Sequence, residues 1–255
     1  MIVFTGLRKS FAGQPVLRGI DLTIPPRSTT VILGPSGSGK SVLLKHVVGL
    51  LEPDAGSVVV DNQVVHELDY QELRVLRERI GFVFQFAALF DSLTVAGNLR
   101  LGLKRRGLDE AEIDRRITES LELVELPDTR NKFPAELSGG MRKRIGIARA
   151  ISLKPEYILY DEPTSGLDPV TTAVMDDLMI RAREVLGVTG LVVSHDLQST
   201  FRIADRVVML HEGVVRQEGT VAEIKDTTDP VVRQFIEGRP RPAVMAVSTV
   251  DGGVR

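Results

Sequence analysis

The stretch VILGPSGSGKS, residues 31–41, joins an apolar run to a glycine-rich loop that ends in lysine and serine. Residues 31–33 are typical of a buried strand, and residues 41–51 carry apolar side chains at helical spacing. Glycine lets the connecting backbone fold tightly enough to aim consecutive N–H groups at one anion. The stretch therefore predicts a strand, a phosphate-binding loop and a helix in direct succession, in the pattern G-x-x-x-x-G-K-[ST].

The side chains of this loop predict which parts of a nucleotide it would hold. Lys40 should reach the β- and γ-phosphates, and Ser41 should offer its hydroxyl to Mg²⁺. The start of the following helix adds the positive end of its dipole. The alternative, a glycine-rich turn without a ligand, is disfavoured by the strand before it. The predicted nucleotide-binding residues are Gly34, Pro35, Ser36, Gly37, Ser38, Gly39, Lys40, Ser41 and Val42.

Apolar runs that alternate with helical stretches predict the rest of the fold. From residue 157 onward, YILY, GLVVS and RVVML are such runs, and they indicate a parallel sheet covered on both faces. The first part of the chain is typical of short strands joined by turns. Helices replace this alternation from about residue 86 to about residue 150. The clearest follows Asp109, a candidate cap, with a packing stripe at Ile113, Ile117, Leu121 and Val124.

The run YILYDEP, residues 157–163, places two carboxylates directly after an apolar strand. Ligands bind at the carboxyl edge of such sheets, so Asp161 is a candidate to orient Mg²⁺. Glu162 is a candidate general base toward a water beside the γ-phosphate. His195 follows GLVVS at the corresponding edge and is a candidate γ-phosphate contact. The alternatives are a solvated acidic turn and a structural or surface histidine.

A second phosphate-binding pattern stands at LSGGMRKR, residues 137–144. Ser138 can donate its hydroxyl, and Gly139 and Gly140 can expose N–H groups at a helix start. The three cations that follow are unfavourable near a helix start unless an anion compensates them. A solvated basic face and an anionic partner are both open explanations for them.

Composition bounds the remaining possibilities. The chain has 255 residues, a formal net charge of −2 and no cysteine, which excludes disulfides and thiolate metal sites. The charge gives no general reason to bind nucleic acid. The four histidines are scattered without metal-ligand spacing. We expect no signal peptide and no transmembrane helix, so the chain should be cytoplasmic, held at a membrane only by a partner.

Together these motifs resemble the ATP-binding subunit of an ATP-binding cassette (ABC) transporter, in the family's order, over residues 1 to about 220. The resemblance implies an α/β P-loop NTPase fold with a RecA-like parallel-sheet core, an N-terminal antiparallel β lobe and an inserted α-helical subdomain. It implies an ABC ATPase domain over residues 1–237, with the helical subdomain at about 86–150. Residues 238–255 would form a tail, either disordered or an interface arm.

The resemblance also implies roles for single residues and for partners. Phe11 would stack on adenine, Asp168 would lie in the D-loop near the nucleotide, and Gln85 would begin the Q-loop. The implied catalytic residues are Glu162, His195, Gln85 and Lys40, and the implied metal ligands are Ser41, Gln85 and Asp161. The cofactors would be ATP and Mg²⁺. Two copies would pair head to tail, because each signature closes over the other copy's ATP.

The apolar residues of the Q-loop region suggest where a membrane partner binds. A loop-like stretch contains five apolar residues, Phe86, Leu89, Phe90, Leu93 and Val95. Exposed apolar surface of this kind is expected at a docking site. In the family, this groove receives a cytoplasmic helix of the integral membrane permease.

Three local features resemble the Mce/Mla group, which moves phospholipids or sterols between membranes. They are Met141 in place of the usual Gln, FQFAALFDSLTVAGNL at residues 84–99, and GLDPVTTAVMDDL at residues 166–178. This resemblance implies phospholipid transport at the cytoplasmic face of the inner membrane. It also implies a small regulatory subunit and a substrate-binding Mce-domain protein.

Other functions remain open at this stage. An importer or exporter of amino acids, ions or lipoprotein would use the same motifs. A soluble ABC protein acting on nucleic acid or ribosomes is disfavoured by the short insert and the slightly negative charge. A non-hydrolysing subunit would not need Lys40, Gln85, Glu162 and His195 together. A small-molecule kinase would share the phosphate loop but has no use for LSGGMRKR.

Overall fold

The computed structural model describes residues 1–239 as two sheets surrounded by helices. The strands are β1 (Ile2–Phe11), β2 (Gln14–Ile24), β3 (Thr29–Leu33), β4 (Ala55–Val60), β5 (Gln63–Val64), β6 (Ile80–Val83), β7 (Tyr157–Asp161), β8 (Thr189–Ser194), β9 (Arg206–His211) and β10 (Val214–Gly219). The helices are α1 (Lys40–Val47), α2 (Tyr70–Glu78), α3 (Val95–Arg105), α4 (Glu110–Leu123), α5 (Gly139–Ser152), α6 (Pro169–Leu186), α7 (Leu197–Ile203), α8 (Val221–Lys225) and α9 (Pro230–Ile236).

The central sheet has the order β10-β9-β3-β8-β7-β6, and every pair is parallel except β9 with β10. Strands β3 and β8 are buried along their whole length. Continuous apolar strands form here because both faces of a parallel sheet are covered. The sequence-based prediction of such a sheet is confirmed.

The two faces of the central sheet pack against different partners. Val31 and Tyr160 point into a cluster with the helices α3 to α6, whereas Ile32 and Leu159 point into a cluster with α1 and the second sheet. The alternation follows from the two-residue period of a strand. One face is therefore covered by helices, and the other by α1 together with a β lobe.

This lobe is the second sheet, with the order β2-β1-β4-β5 and antiparallel pairing throughout. Toward the end of β2, Ile20, Leu22 and Ile24 are buried while Asp21 and Thr23 are exposed, as expected for a sheet with one face in water. The implied N-terminal antiparallel lobe is thus present, and the predicted fold class is confirmed.

Helices α3, α4 and α5 lie between β6 and β7. Asp109 caps α4 by accepting a hydrogen bond from the Glu112 N–H at 2.8 Å. The predicted stripe of α4 is fully buried in the helical cluster, so it is packing surface. The first helix of this segment begins at Val95, and turns occupy most of residues 84–94.

The structure gives bounds for the helix predicted after the glycine-rich loop and for part of the predicted C-terminal tail. The helix expected over residues 41–51 is α1, which ends at Val47; Gly49 then adopts a φ of +62°. The tail expected over residues 238–255 lies outside the described residues except for Gly238 and Arg239. Over residues 1–239, none of the helices combines the length and apolar character needed to cross a bilayer.

Candidate active site

Four parallel strands deliver the predicted residues to one edge of the central sheet. The glycine-rich loop follows β3, Gln85 follows β6, Asp161 ends β7, and His195 follows β8. Register supports their proximity, because Leu33 pairs with Ser194 and Asp161 pairs with Val193. The carboxyl edge of a parallel sheet is where such folds bind ligands.

The glycine-rich loop needs glycine at its first position for a steric reason. Gly34 has a φ of +157°, and a Cβ there would lie 2.2 Å from the Leu210 carbonyl oxygen. Gly39 has a φ of +102° and is the N-cap of α1, without a side-chain cap hydrogen bond. The N–H groups in the first turn of α1 are therefore not capped by a side chain, which suits an anion.

Lys40 is buried at the floor of this loop. Its Nζ donates to the carbonyl oxygens of Gly34 at 2.8 Å and Pro35 at 3.1 Å. Glu162 Oε1 lies 3.7 Å from the same nitrogen. Burial lowers the pKa of the Lys40 ammonium, and the charge of Glu162 opposes this shift. The lysine is thus held between the phosphate loop and the candidate base.

Ser41 and Asp161 form a pair of oxygen ligands. The Ser41 hydroxyl donates to Asp161 Oδ1 at 2.7 Å. Hydroxyl and carboxylate oxygens are the donors that Mg²⁺ prefers, with water and phosphate oxygens completing its shell. Among the described residues no cluster of three or more acidic, His or Cys side chains could hold a metal alone. A site built from Ser41, Asp161 and phosphate oxygens fits both observations.

Ser38 provides a second test of fit to a phosphate. Its hydroxyl oxygen is buried and has no hydrogen-bond partner within the part of the chain that the structure describes. Buried polar atoms are normally satisfied, so this hydroxyl needs a partner from outside the described fold. A phosphate oxygen in the loop would satisfy it.

Glu162 is held in a strained position between two candidate catalytic groups. Its backbone has a φ of +50°, which is unusual for a residue other than glycine. Its Oε2 lies 2.7 Å from His195 Nδ1, while its Oε1 faces Lys40. The Glu162 side chain is 14% exposed and the His195 side chain is 55% exposed. The predicted base and the predicted phosphate contact are therefore direct neighbours.

An open cavity of about 450 Å³ lies at this edge of the sheet, and Gly34, Ser38 and Asp161 lie outside its walls. Its walls are Val16, Ser36, Gly37, Gly39, Lys40, Ser41, Val42, Gln85, Glu162 and His195. Val16, on β2, was missed by sequence reasoning because no motif marks it. Phe11 is 43% exposed at the end of β1 and does not line this cavity. Its stacking on adenine stays a prediction.

A separate cavity of about 440 Å³ is lined by part of LSGGMRKR, and the two cavities share no lining residue. Ser138 is the N-cap of α5, and its Oγ accepts the Met141 N–H at 3.2 Å. That leaves the hydroxyl proton of Ser138 available to another acceptor. The residues around this cavity include Ser138, Gly139, Gly140, Met141, Asp168 and Thr171.

Asp168 has a structural task in this second cavity. Its Oδ1 accepts the N–H groups of Val170 and Thr171 at 3.0 Å, and its Oδ2 accepts the Thr171 hydroxyl at 2.6 Å. These bonds cap α6 and hold the pKa of the Asp168 carboxyl below its ordinary value. Its nucleotide contact stays a prediction.

The residues after the two glycines contact their own chain, and of the three cations Arg142 is exposed while Lys143 and Arg144 are half-buried. Met141 packs against the helical cluster of its own chain. Arg142 donates to the Leu137 carbonyl at 2.8 Å, Lys143 to the Pro163 carbonyl at 3.0 Å, and Arg144 to the Val124 carbonyl at 3.3 Å. The cations are therefore structural donors to backbone carbonyls, which sequence spacing cannot indicate.

Side chains of α3 and α5 hold the backbone of the turn that carries Gln85. Asn98, buried on α3, accepts the Phe90 N–H at 2.7 Å and donates to the carbonyls of Phe90 and Thr94. Arg149, on α5, donates to the carbonyls of Ala87 and Ala88. Phe86 remains 85% exposed and Phe90 58% exposed.

Two other apolar residues of the predicted docking set, Leu89 and Val95, lie against the core of the chain. Leu89 packs against the helical cluster, and Val95 is fully buried. The sequence-based set of five exposed apolar residues is therefore too large. Only Phe86 and Phe90 of that set are among the large exposed hydrophobic side chains.

Comparison with known proteins gives consistent matches. A model of the family described as ABC transporter matches residues 17–165. A probable ribonucleotide transport ATP-binding protein, mkl of Mycobacterium tuberculosis, is 41% identical over 239 residues, covering 93% of this chain and 67% of the relative. The methionine import ATP-binding protein MetN of Xanthomonas euvesicatoria is 42% identical over 228 residues, covering 88% of this chain and 68% of the relative.

Solved structures agree with these matches. The dimeric ATP-binding cassette MJ0796, in a post-hydrolysis state bound to ADP and Pi, has a TM-score of 0.79 and 33% identity, covering 87% of this chain and 99% of that one. The cbiO1 protein of Clostridium perfringens, part of the transporter complex cbiONQ, has a TM-score of 0.83 and 29% identity, covering 91% and 93%.

Proposed function

This chain belongs to the ABC transporter family, and from that premise we propose that two copies pair head to tail around two ATP molecules. The chain is an ABC ATPase whose cofactors are ATP and Mg²⁺, and it works as a dimer with membrane permease partners. In the proposed arrangement the phosphate-loop cavity of one copy faces the signature cavity of the other.

The separation of the two cavities supports this arrangement and carries the proposal. Each cavity contains a helix start suited to phosphate, at Lys40 on α1 and at Gly139 on α5. The two cavities have no wall in common. In a single copy the two helix starts would not contact the same phosphate. In a two-fold pair the helix start of one copy can face the helix start of the other across one ATP. The related cassette MJ0796 was solved as a dimer, which agrees with this reading.

The site residues then have complementary tasks. Glu162 accepts a proton from the attacking water, and the Nδ1 nitrogen of His195 lies close enough to orient its carboxylate. Lys40 supplies positive charge toward the terminal phosphates. Ser41, Asp161 and Gln85 would hold Mg²⁺, which neutralises phosphate charge when bound. Ser138, Gly139 and Gly140 of the other copy close the far side of the γ-phosphate.

The head-to-tail pairing predicts a stable dimer when hydrolysis is blocked. Glu162→Gln removes the base but keeps the shape of the side chain, so ATP should hold the two copies together. Light scattering at saturating ATP and Mg²⁺ should report a dimer, and ADP should report a monomer. Adding Ser138→Ala should weaken the dimer while leaving ATP binding by the single copy within about twofold of the unaltered affinity. Monomers at saturating ATP would contradict the pairing.

The turn carrying Phe86 and Phe90 is the surface that we assign to the permease. Asn98 and Arg149 fix its backbone, so the two phenylalanines are presented to solvent by a rigid support. Exposed aromatic side chains on a fixed turn suit an apolar partner. Gln85 lies in the same turn and lines the ATP cavity, which would link permease binding to the site.

The cargo that we propose is phospholipid, moved between bacterial membranes. Support comes from the local resemblance of residues 84–99, 137–144 and 166–178 to Mce/Mla ATPases. A small regulatory subunit and a substrate-binding Mce-domain protein would complete the assembly, at the cytoplasmic face of the inner membrane. A second candidate is import of a small solute, favoured by 42% identity to a methionine import protein.

Cargo is decided by the complete transporter. We expect the chain, purified with its native membrane partners, to carry phospholipid detectable by mass spectrometry. Its ATPase activity in nanodiscs should rise when the acceptor lipid-binding protein is supplied. Stimulation by methionine with a solute-binding protein, and no bound phospholipid beyond that of an unrelated permease, would favour the second candidate.

A further inference from the structure

Lys143 connects the signature helix to the turn that carries the catalytic base. Its Nζ donates to the Pro163 carbonyl at 3.0 Å and also to the Ser165 carbonyl. Both carbonyls belong to the turn that begins at Glu162. Within residues 1–239, the ammonium has no carboxylate at ion-pair distance.

Partial burial of the Lys143 ammonium costs desolvation free energy, and only neutral carbonyl oxygens accept its hydrogen bonds. Burial lowers the pKa of Lys143, and the charge of Glu162 opposes that shift. An apolar side chain of the same length would fill the space without this desolvation. The two hydrogen bonds to the turn are what the charged tip adds.

The turn itself needs support from its neighbours. Glu162 has a φ of +50°, a conformation that persists only where surrounding contacts hold it. Lys143 holds the turn from α5, and Gln85 approaches the Ser165 hydroxyl at 3.5 Å from the other side. Displacement of α5 would therefore be transmitted to the position of the Glu162 carboxylate.

In the proposed head-to-tail dimer, on which this step rests, these two ends serve different ATP molecules. Ser138, at the start of α5, closes over the ATP of the other copy, whereas Glu162 acts on the ATP of its own copy. Lys143 lies five residues after Ser138, about 7.5 Å along the helix axis. We propose that Lys143 is a positioning residue that couples the two ATP sites, by tying the signature of one site to the base of the other.

The first test compares three variants of the dimer. Lys143→Met keeps the apolar stem and removes the donors, Lys143→Arg keeps donors, and Lys132→Met is the control. Lys132 is exposed in the same subdomain, and its side chain makes no hydrogen bond or ion pair with residues 1–239. Lys143→Met should lower kcat about 10- to 100-fold, the range for hydrogen bonds to a charged group, with KM within about threefold.

Cooperativity separates coupling from local support. The Hill coefficient for ATP should exceed 1 in the unaltered dimer and fall to about 1 in Lys143→Met. Lys143→Arg should restore most of kcat and the Hill coefficient, and Lys132→Met should change neither. Unaltered kcat and cooperativity in Lys143→Met would overturn the proposal. If Lys143→Met fails to fold, judged by its thermal unfolding midpoint, Lys143→Gln replaces it in the same comparison.

Mixed dimers with one working base give the sharpest test. In the first, one copy carries Glu162→Gln and the other carries Lys143→Met, so the working base lies beside the altered lysine. In the second, one copy carries both substitutions, so the working base keeps its lysine but receives an uncoupled signature. Coupling predicts loss of turnover in both dimers. Loss in only one of them would reduce Lys143 to support of a single site and overturn the proposal.

Failure of the dimer itself is recognised separately. Glu162→Gln, with and without Lys143→Met, should dimerise with ATP. If neither variant dimerises, the head-to-tail arrangement is wrong, and the coupling proposal, which depends on it, is wrong as well. If both dimerise and Lys143→Met turns over ATP at the unaltered rate, only the coupling fails.

Discussion

Gly139 and Gly140 look equivalent in the sequence, but the structure gives them different surroundings. A Cβ on Gly139 would meet no atom within 4 Å, whereas one on Gly140 would lie 2.6 Å from Thr171 Cγ2. Thr171 is not free to turn away, because its hydroxyl donates to Asp168. Gly140 therefore permits α5 to approach the start of α6, in addition to any contact with phosphate.

This difference predicts opposite effects on stability. Gly140→Ala should lower the free energy of unfolding by about 1–3 kcal/mol, as overpacking does. Gly139→Ala should leave it unchanged or raise it by up to about 1 kcal/mol, since it restricts the unfolded chain without a clash. Urea unfolding followed by circular dichroism measures both. A Gly140→Ala variant as stable as the Gly139→Ala variant would show that the close approach to Thr171 is relaxed in solution.

At the scale of elements, the turn between β6 and α3 combines a fixed backbone with exposed aromatic rings. Buried Asn98 satisfies backbone groups that would otherwise lack partners, so the turn does not need its phenylalanines for packing. Phe82 and Phe84 stack with ring centroids 4.4 Å apart, which adds support at the end of β6. The exposed rings are thus available to a partner.

We therefore expect Phe90→Asp to separate hydrolysis from transport. The purified chain should keep its basal ATPase rate, because Phe90 does not line the phosphate-loop cavity. Its affinity for the permease should fall at least tenfold, corresponding to about 1.4 kcal/mol or more. Val185→Asp is the matched control, since Val185 is 64% exposed on α6. Pull-down and transport assays that respond equally to both substitutions would place the permease elsewhere.

For the whole molecule, one ionic cluster ties the antiparallel lobe to the central sheet. Asp61, after β4, receives hydrogen bonds from the Met1 amine at 2.6 Å, the Tyr157 hydroxyl at 2.6 Å and Arg79. Burial alone would raise the pKa of the Asp61 carboxyl, but these three partners outweigh it and lower the pKa to about 2. The charged form of Asp61 therefore stabilises the contact between the two sheets.

The sign of the pH dependence follows from this lowered pKa. The stabilisation is present above the carboxyl's unfolded pKa near 4 and is lost as pH falls through the folded pKa near 2. Asp61→Asn should lower the free energy of unfolding at pH 7 by about 1–2 kcal/mol, after allowance for partial exposure. The difference from the unaltered chain should disappear near pH 2. Asp128→Asn, at an exposed position, is the control in the same urea titrations.

Local sequence accounts for much of this molecule. The strand, loop and helix around Gly34–Ser41, the buried runs after residue 157 and the Asp109 cap each depend on neighbours in the chain. Steric limits on glycine, capping chemistry and hydrophobic periodicity act over a few residues, so a sequence reader can apply them. Because the strands are parallel, their carboxyl ends meet at one edge of the sheet, and the shared location of the motifs that follow them could be predicted in the same way.

Tertiary structure decided what depends on residues far apart in the chain. It placed Val16 rather than Phe11 in the wall of the phosphate-loop cavity, and it set the cations that follow Met141 against backbone carbonyls. It also placed Lys143 against the turn of Glu162, where it donates to the carbonyl of Pro163, twenty residues later in the chain. The sequence by itself determined which local devices this chain carries, because they are made by neighbouring residues. Only packing in three dimensions decided which devices touch, because side-chain direction and distance are fixed by the whole fold.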